Sequence, residues 1–256
     1  MEVTELFKDA FNYSARDMCK ILTLGALFLG IAILLGISIA SAALSPILMF
    51  VLVFITILLL LVVGLIYSGY GLDVIKNTIA QSDSLPEFNW VGNFVDGLKV
   101  LVLSIVYMII PSIIAGIVAV IVGLSSGIAT SFTTTPNSAM ILALFTSYGV
   151  ALAIIFLVFI VFGLIAIIAK ARLAETGKLG AIFEFEEIFA TISKLGWINF
   201  IFLIILLFII ESIIIYAFSL IIFIPIIGLI VCILIVPAFL LVFESRVIGL
   251  IYNEAK

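Results

Sequence analysis

Glu211 is the residue of this sequence most in need of a chemical explanation. It lies in an apolar run with Leu207, Phe208, Ile214 and Ile215 one turn away on either side, none of which offers it a polar partner. Counted from Trp197 at 1.5 Å per helical residue, it lies about 20 Å along its helix, at or beyond the middle of a ~30 Å hydrocarbon core. An ionised carboxylate at that depth costs several kcal/mol, so Glu211 is expected to keep its proton and to face other helices. Its hydrogen bonds must then come from other segments, and Thr56, Ser112 and Tyr148 lie at comparable depths. Two chemistries suit such a group. One is a protonated carboxyl that ties helices together; the other is a relay that couples proton or cation movement to transport.

The remaining candidates are weaker. Glu184, Glu186 and Glu187 suggest a divalent-cation site, but helical spacing turns Glu186 away from the other two, and a hard cation needs several converging oxygens. A solvated polar face explains them better. The chain has no histidine, which removes the commonest general base and metal ligand. Cys19 and Cys232 fit no metal or redox spacing. Phosphate-binding loops, dinucleotide fingerprints and zinc-protease motifs are missing as well. No metal and no cofactor is expected.

The elements that must position these residues follow from composition. Of 256 residues, 66% are hydrophobic and 10% charged, and the mean hydropathy is +1.53. A soluble domain carries about 25% charged residues, so the solvent for most of this surface is lipid. Apolar runs at 21–43, 46–70, 100–122, 139–169, 195–219 and 226–243 predict an all-α, polytopic bundle of about six transmembrane helices in a single membrane domain, 1–256. Ala40-Ser41-Ala42 resembles a cleavage site, but the mixed charges before the first run do not suit a signal peptide, so that segment is expected to stay. Pro111 and Pro237 fall inside the third and sixth runs and read as packing kinks. Ser112-x-x-x-Gly116 and Gly149-x-x-x-Ala153 read as internal packing seams.

All eleven lysines and arginines fall in the N-terminal segment, between the second and third runs (Lys76 and Lys99), between the fourth and fifth (170–194), or in the C-terminal segment, and none in the other three connections. The positive-inside rule then places both termini and both charged connectors in the cytoplasm, with the protein in the cytoplasmic membrane. The expected partners are membrane lipids and other membrane or cytoplasmic proteins, not nucleic acid.

The charged connectors also look alike. Phe88, Phe94 and Lys99 recur as Phe183, Phe189 and Lys194, and Phe11 with Arg16 repeats the last part of the spacing. This predicts three hairpin units, 2–82, 86–172 and 182–252, each opened by an interfacial amphipathic helix over residues such as 86–98 or 182–193. In each, phenylalanines would sink to the acyl boundary and a cation would stay among the headgroups, with Trp90 as a further anchor.

Gly69-Tyr70-Gly71, Leu85-Pro86-Glu87-Phe88, Trp90 and Phe94-Val95-Asp96-Gly97-Leu98-Lys99 resemble the central signature of an uncharacterised family of archaeal and bacterial polytopic membrane proteins, a domain of unknown function. The ending Glu244-Ser245-Arg246, Gly249 and Tyr252 is similar to how that family ends. The resemblance implies a six-helix membrane fold and no activity. The sequence therefore supports first a non-enzymatic protein that organises lipids or partners. The alternatives are a small permease or channel subunit using Glu211 and, third, an intramembrane lipid-modifying enzyme, which the missing histidine disfavours.

Overall fold

Asp17 and Ser45 set where the first two long helices begin. The Asp17 carboxylate accepts the Lys20 amide at 3.2 Å, and the Ser45 hydroxyl accepts that of Leu48 at 3.5 Å, with Pro46 in the first turn where its missing N–H costs nothing. A computed structural model of the protein describes residues 2–125, 138–224 and 226–256. Residues 126–137 of the uncharged connection expected over 123–138, and Pro225 of the last turn, lie outside the described residues.

The helices are α1 (Val3–Ala15), α2 (Met18–Ala40), α3 (Pro46–Ile79), α4 (Trp90–Ser125), α5 (Ser138–Thr176), α6 (Phe185–Leu195), α7 (Trp197–Ser219) and α8 (Ile227–Glu254). Short 3-10 turns occupy Ser41–Ala43, Leu179–Phe183 and Leu220–Phe223, and no strand occurs among the described residues. Six of these segments are long and apolar enough to cross a membrane. The chain is thus an all-α, multi-pass membrane protein.

The long helices overrun the expected spans. α3 continues past Tyr70 to Ile79, α4 begins at Trp90, and α8 continues past Phe243 to Glu254. At 34 residues α3 is about 50 Å long, well beyond a ~30 Å core. Helical hydrogen bonds do not depend on lipid, so a helix leaving the bilayer has no reason to stop until a capping or turn residue intervenes. Much of what reads as polar connector is therefore projecting helix.

The two later entry segments differ for a local reason. α6 is a separate helix because Gly196, with φ of +80°, takes a conformation that side-chain-bearing residues avoid and breaks α6 from α7. Residues 85–89 carry no helical structure, and residues 90–98 are the first turns of α4 itself. The matching position there is Leu101, which gives the chain no such break.

The described chain divides into two compact units, residues 1–101 with 168–256, and residues 102–167. In the first, α2, α3 and α8 pack on one another and α1 packs on α8. Tyr13, Ile21, Leu24, Tyr70, Val74 and Val242 belong to one of its buried clusters. α3 and α4 touch backbone to backbone. A Cβ on Gly69 would stand 1.8 Å from the Asn93 carbonyl oxygen, and one on Gly97 1.9 Å from that of Leu65.

The second unit holds most of α4, from Val102 to its end, and most of α5, with Leu103, Tyr107, Ala151 and Ile165 buried. Pro111 lies inside α4 beside a cleft of about 300 Å³ lined by Tyr107, Met108, Phe159 and Phe162. Among the described residues, no close seam forms at the expected small-residue pairs: a Cβ on Gly116 or Gly149 would meet none of them within 4 Å, and Ser112 and Ala153 are exposed. Close approach falls instead to Gly69 and Gly97, which the spacing rule does not single out.

Candidate functional site around the 82–86 connector

Between α3 and α4 the chain must turn at a membrane edge without helix or sheet to satisfy its backbone, and side chains take over that role. Gln81 adopts a left-handed φ of 58°, and the Ser82 amide donates back to the Asn77 carbonyl at 2.9 Å. Each carbonyl from Ser82 to Pro86 then accepts a hydrogen bond from a side chain elsewhere. Arg246 reaches Ser82 at 2.9 Å and Arg16 reaches Asp83 at 2.5 Å. Tyr13 donates to Ser84 at 2.9 Å, Lys20 to Leu85 at 2.9 Å and Tyr70 to Pro86 at 3.2 Å. The donors come from α1, the chain just after it, α2, α3 and α8, so this short connector joins most of the first unit's helices.

Arg246 is the hub. It is 5% exposed, and besides Ser82 it binds Asp9 through Nε at 2.8 Å and Asp83 through Nη2 at 3.2 Å. Its guanidinium also lies over the Tyr13 ring, 4.3 Å from the centroid. Two carboxylates, one carbonyl and an aromatic face together compensate a charge that is otherwise costly to bury. Burial pushes the Tyr13 phenol up to about 12, outweighing the nearby Arg246 charge that pulls it down. Tyr13 therefore keeps its proton and stays a donor to Ser84.

A second polar group ties the end of α5 to the end of α8. Arg172 pairs with Glu184 and, at 3.8 Å, with Glu187, while Glu175 accepts from Tyr252 at 2.5 Å and pairs with Lys256 at 2.6 Å. Between α3 and α4, the buried Asn93 donates to Asp73 at 2.6 Å and accepts the Asn89 amide at 3.1 Å. Lys99 pairs with Asp96 one turn away, at 2.6 Å.

The sequence candidates fall into several environments. Glu211 lies four residues after Leu207 and three before Ile214, both buried, and so shares their side of α7. It is half-buried, with no hydrogen bond among the described residues, and the groups near enough to interact with its charge include Glu244 on α8 and Tyr67 on α3. Tyr67 donates to the Pro237 carbonyl at 2.5 Å. Thr56 is buried and bonded to Leu52 and, at 3.2 Å, to Ser38. Ser112 is exposed and Tyr148 half-buried, both in the second unit.

Of the expected anchors, Arg16 is held by the connector, and Phe88 stacks between Tyr70 at 4.8 Å and Trp90 at 5.2 Å. Phe11 packs edge-on to Phe239, Phe94 is half-buried, and Phe183, Phe189 and Lys194 are exposed. The free thiols Cys19 and Cys232 are exposed and half-buried respectively.

Sequence reasoning missed the roles of Arg246, Tyr13, Lys20 and Asn93. For Arg246 a signal exists: Val247, Ile248, Leu250 and Ile251 follow it, so the apolar helix does not end at the charge. Chemically the cluster holds rather than reacts. Its donors are engaged with backbone carbonyls and carboxylates, and no group of three or more metal-ligating side chains occurs among the described residues.

The profile of a family described as "Protein of unknown function (DUF4013)" matches residues 52–224, from within α3 through the turn after α7. No curated protein and no solved structure matches the chain.

Proposed function

From the premise that this chain belongs to the DUF4013 family, whose function is unknown, we propose that it is a non-enzymatic membrane protein presenting a rigid polar surface to partners or lipids. The observation that carries this reading is the run of carbonyls from Ser82 to Pro86, each bound by a side chain from another part of the unit. An active site needs polar groups left available for substrate. Here they are committed to fixing one surface loop, on which Glu87 and Asp83 still face outward. The segregation of lysine and arginine supports a cytoplasmic position for that surface and for both termini.

Photo-crosslinkers at Glu87 and at the lipid-exposed Phe54 test the reading in cells. Discrete adducts from Glu87 and none from Phe54 are expected; identical patterns from both positions would count against a presented surface. Orientation is tested separately. In a variant with Cys19 and Cys232 removed, Glu186→Cys is expected to label only after the membrane is permeabilised, and Leu44→Cys, at a site 84% exposed, in intact cells.

A second reading, a small permease or channel subunit, is supported by the position of Glu211 on the buried side of α7, facing neighbouring helices.

A further inference from the structure

α6 carries three distinct sides. Ile188, Ile192 and Leu195, at four- and three-residue spacing, are buried against the protein. Glu186, Ala190, Ser193 and Lys194 are exposed on a polar side. Between these lie Phe185 and Phe189, each 40% exposed although apolar and aromatic. Water would penalise the exposed part of that third side.

The neighbouring helix shows what covers it. Phe189 packs on Trp197 at 6.0 Å, and from there Ile198, Phe202, Ile205 and Ile209 run up the outside of α7 in an exposed apolar stripe. α7 is one of the segments long enough to cross the membrane, so this stripe faces acyl chains. The aromatic side of α6 meets the foot of this helix through the Phe189–Trp197 contact. At the corner, where Gly196 breaks the two helices apart, an open cleft of about 630 Å³ is lined by Trp197, Ile198, Asn199 and Phe202, with Ile198 86% exposed.

We propose that α6 lies in the membrane interface, with Phe185 and Phe189 in the outermost acyl region of a phospholipid leaflet, and that a phospholipid acyl chain occupies the cleft at Gly196. The occupant is lipid and not a partner protein because Phe189 packs on Trp197, the first residue of a helix long and apolar enough to cross the membrane. The acidic and basic residues of α6 point the other way, toward the headgroups and water, as an amphipathic helix at an interface requires. The inference does not depend on which partner the polar surface serves, and its failure would leave the connector reading standing.

Depth-dependent quenching tests it on the full-length protein in vesicles. With Trp90→Phe leaving Trp197 as the only indole, lipids brominated near the carboxyl end of the acyl chain are expected to quench more strongly than lipids brominated near the methyl end. With both native tryptophans replaced by Phe, Phe189→Trp is expected to be quenched by the shallow bromolipid at least about threefold more than Ala190→Trp, which aqueous acrylamide should quench instead. Matching circular dichroism and elution profiles establish that each variant folds. Acrylamide quenching of Phe189→Trp equal to that of Ala190→Trp would overturn the proposal, placing α6 in water. Protection from acrylamide without bromolipid quenching would also overturn it, since a protein would then cover that side.

Discussion

Arg246 near the end of α8 donates through Nε to Asp9 in α1, a residue 237 positions earlier in the chain, at 2.8 Å. Only a guanidinium satisfies this arrangement. It spreads its donors over Asp9, Ser82 and Asp83 while lying flat over Tyr13, which a lysine ammonium cannot do.

Replacing Arg246 with methionine should therefore cost about 2 kcal/mol in detergent unfolding. That is below the 3–5 kcal/mol typical of a broken buried pair, because Asp9 and Asp83 retain access to water. Arg246→Lys should recover less than half of the loss. A double-mutant cycle with Asp9→Asn should show coupling of about 1 kcal/mol. Strict additivity would mean that the Arg246–Asp9 pair contributes nothing.

Tyr13 provides a pH signature. Its phenol is pushed up to about 12 from an ordinary value of 10, so the folded state holds the proton more tightly than the unfolded state does. The associated stability is complete below about pH 10 and is lost as pH rises toward about 12. Tyr13→Phe should cost about 1 kcal/mol at pH 7 for the lost bond to Ser84. Because other tyrosines titrate as well, the readout is the difference in thermal midpoint between parent and variant, which should shrink from pH 9 to pH 11.

The fold was legible in sequence wherever lipid dictates it. Six apolar runs need no tertiary knowledge, because a bilayer acts on each segment separately. Helix ends were not legible, since Asp73, Asp96 and Arg246 look like flanking charges until the helix is seen to run through them. The connector was half legible. Leu85-Pro86-Glu87-Phe88 stands out as a motif, but what it binds is its backbone, and the donors Tyr13, Arg16, Lys20 and Arg246 lie far from it in sequence. Hydroxyl and cation donors to a carbonyl leave no spacing pattern. Thr56 illustrates the converse: estimated depth made it a partner for Glu211, but the turn between α2 and α3 places Ser38 beside it.

Glycine substitutions separate true seams from apparent ones. Gly69→Ala and Gly97→Ala should each cost at least about 2 kcal/mol, because the added methyl meets backbone and not a yielding side chain. Gly116→Ala and Gly149→Ala, with none of the described residues within 4 Å of the added methyl, should change the thermal midpoint little or raise it, since alanine favours the helix by about 1 kcal/mol over glycine. A larger loss at Gly116 than at Gly69, measured by detergent thermal shift, would contradict the α3–α4 contact.

Glu211→Gln decides between the two functional readings. Glutamine has nearly the same shape and keeps hydrogen-bonding capacity but cannot carry charge, so it mimics a carboxyl that stays protonated. If Glu211 is only a protonated carboxyl packed beside its neighbours, the variant should match the parent in thermal midpoint, elution and expression, within about 0.5 kcal/mol of the parent's stability. Glu211→Leu is the control for packing. It removes the polar group altogether, and on the side of α7 shared with Leu207 and Ile214 it should be tolerated or stabilising. Proteoliposomes carrying a pH-sensitive or cation-sensitive dye then provide the functional readout. The scaffold reading expects flux no greater than in protein-free vesicles for parent and variant alike. Flux in the parent that disappears with Glu211→Gln while the fold is preserved would overturn that reading and establish Glu211 as the coupling group of a transporter.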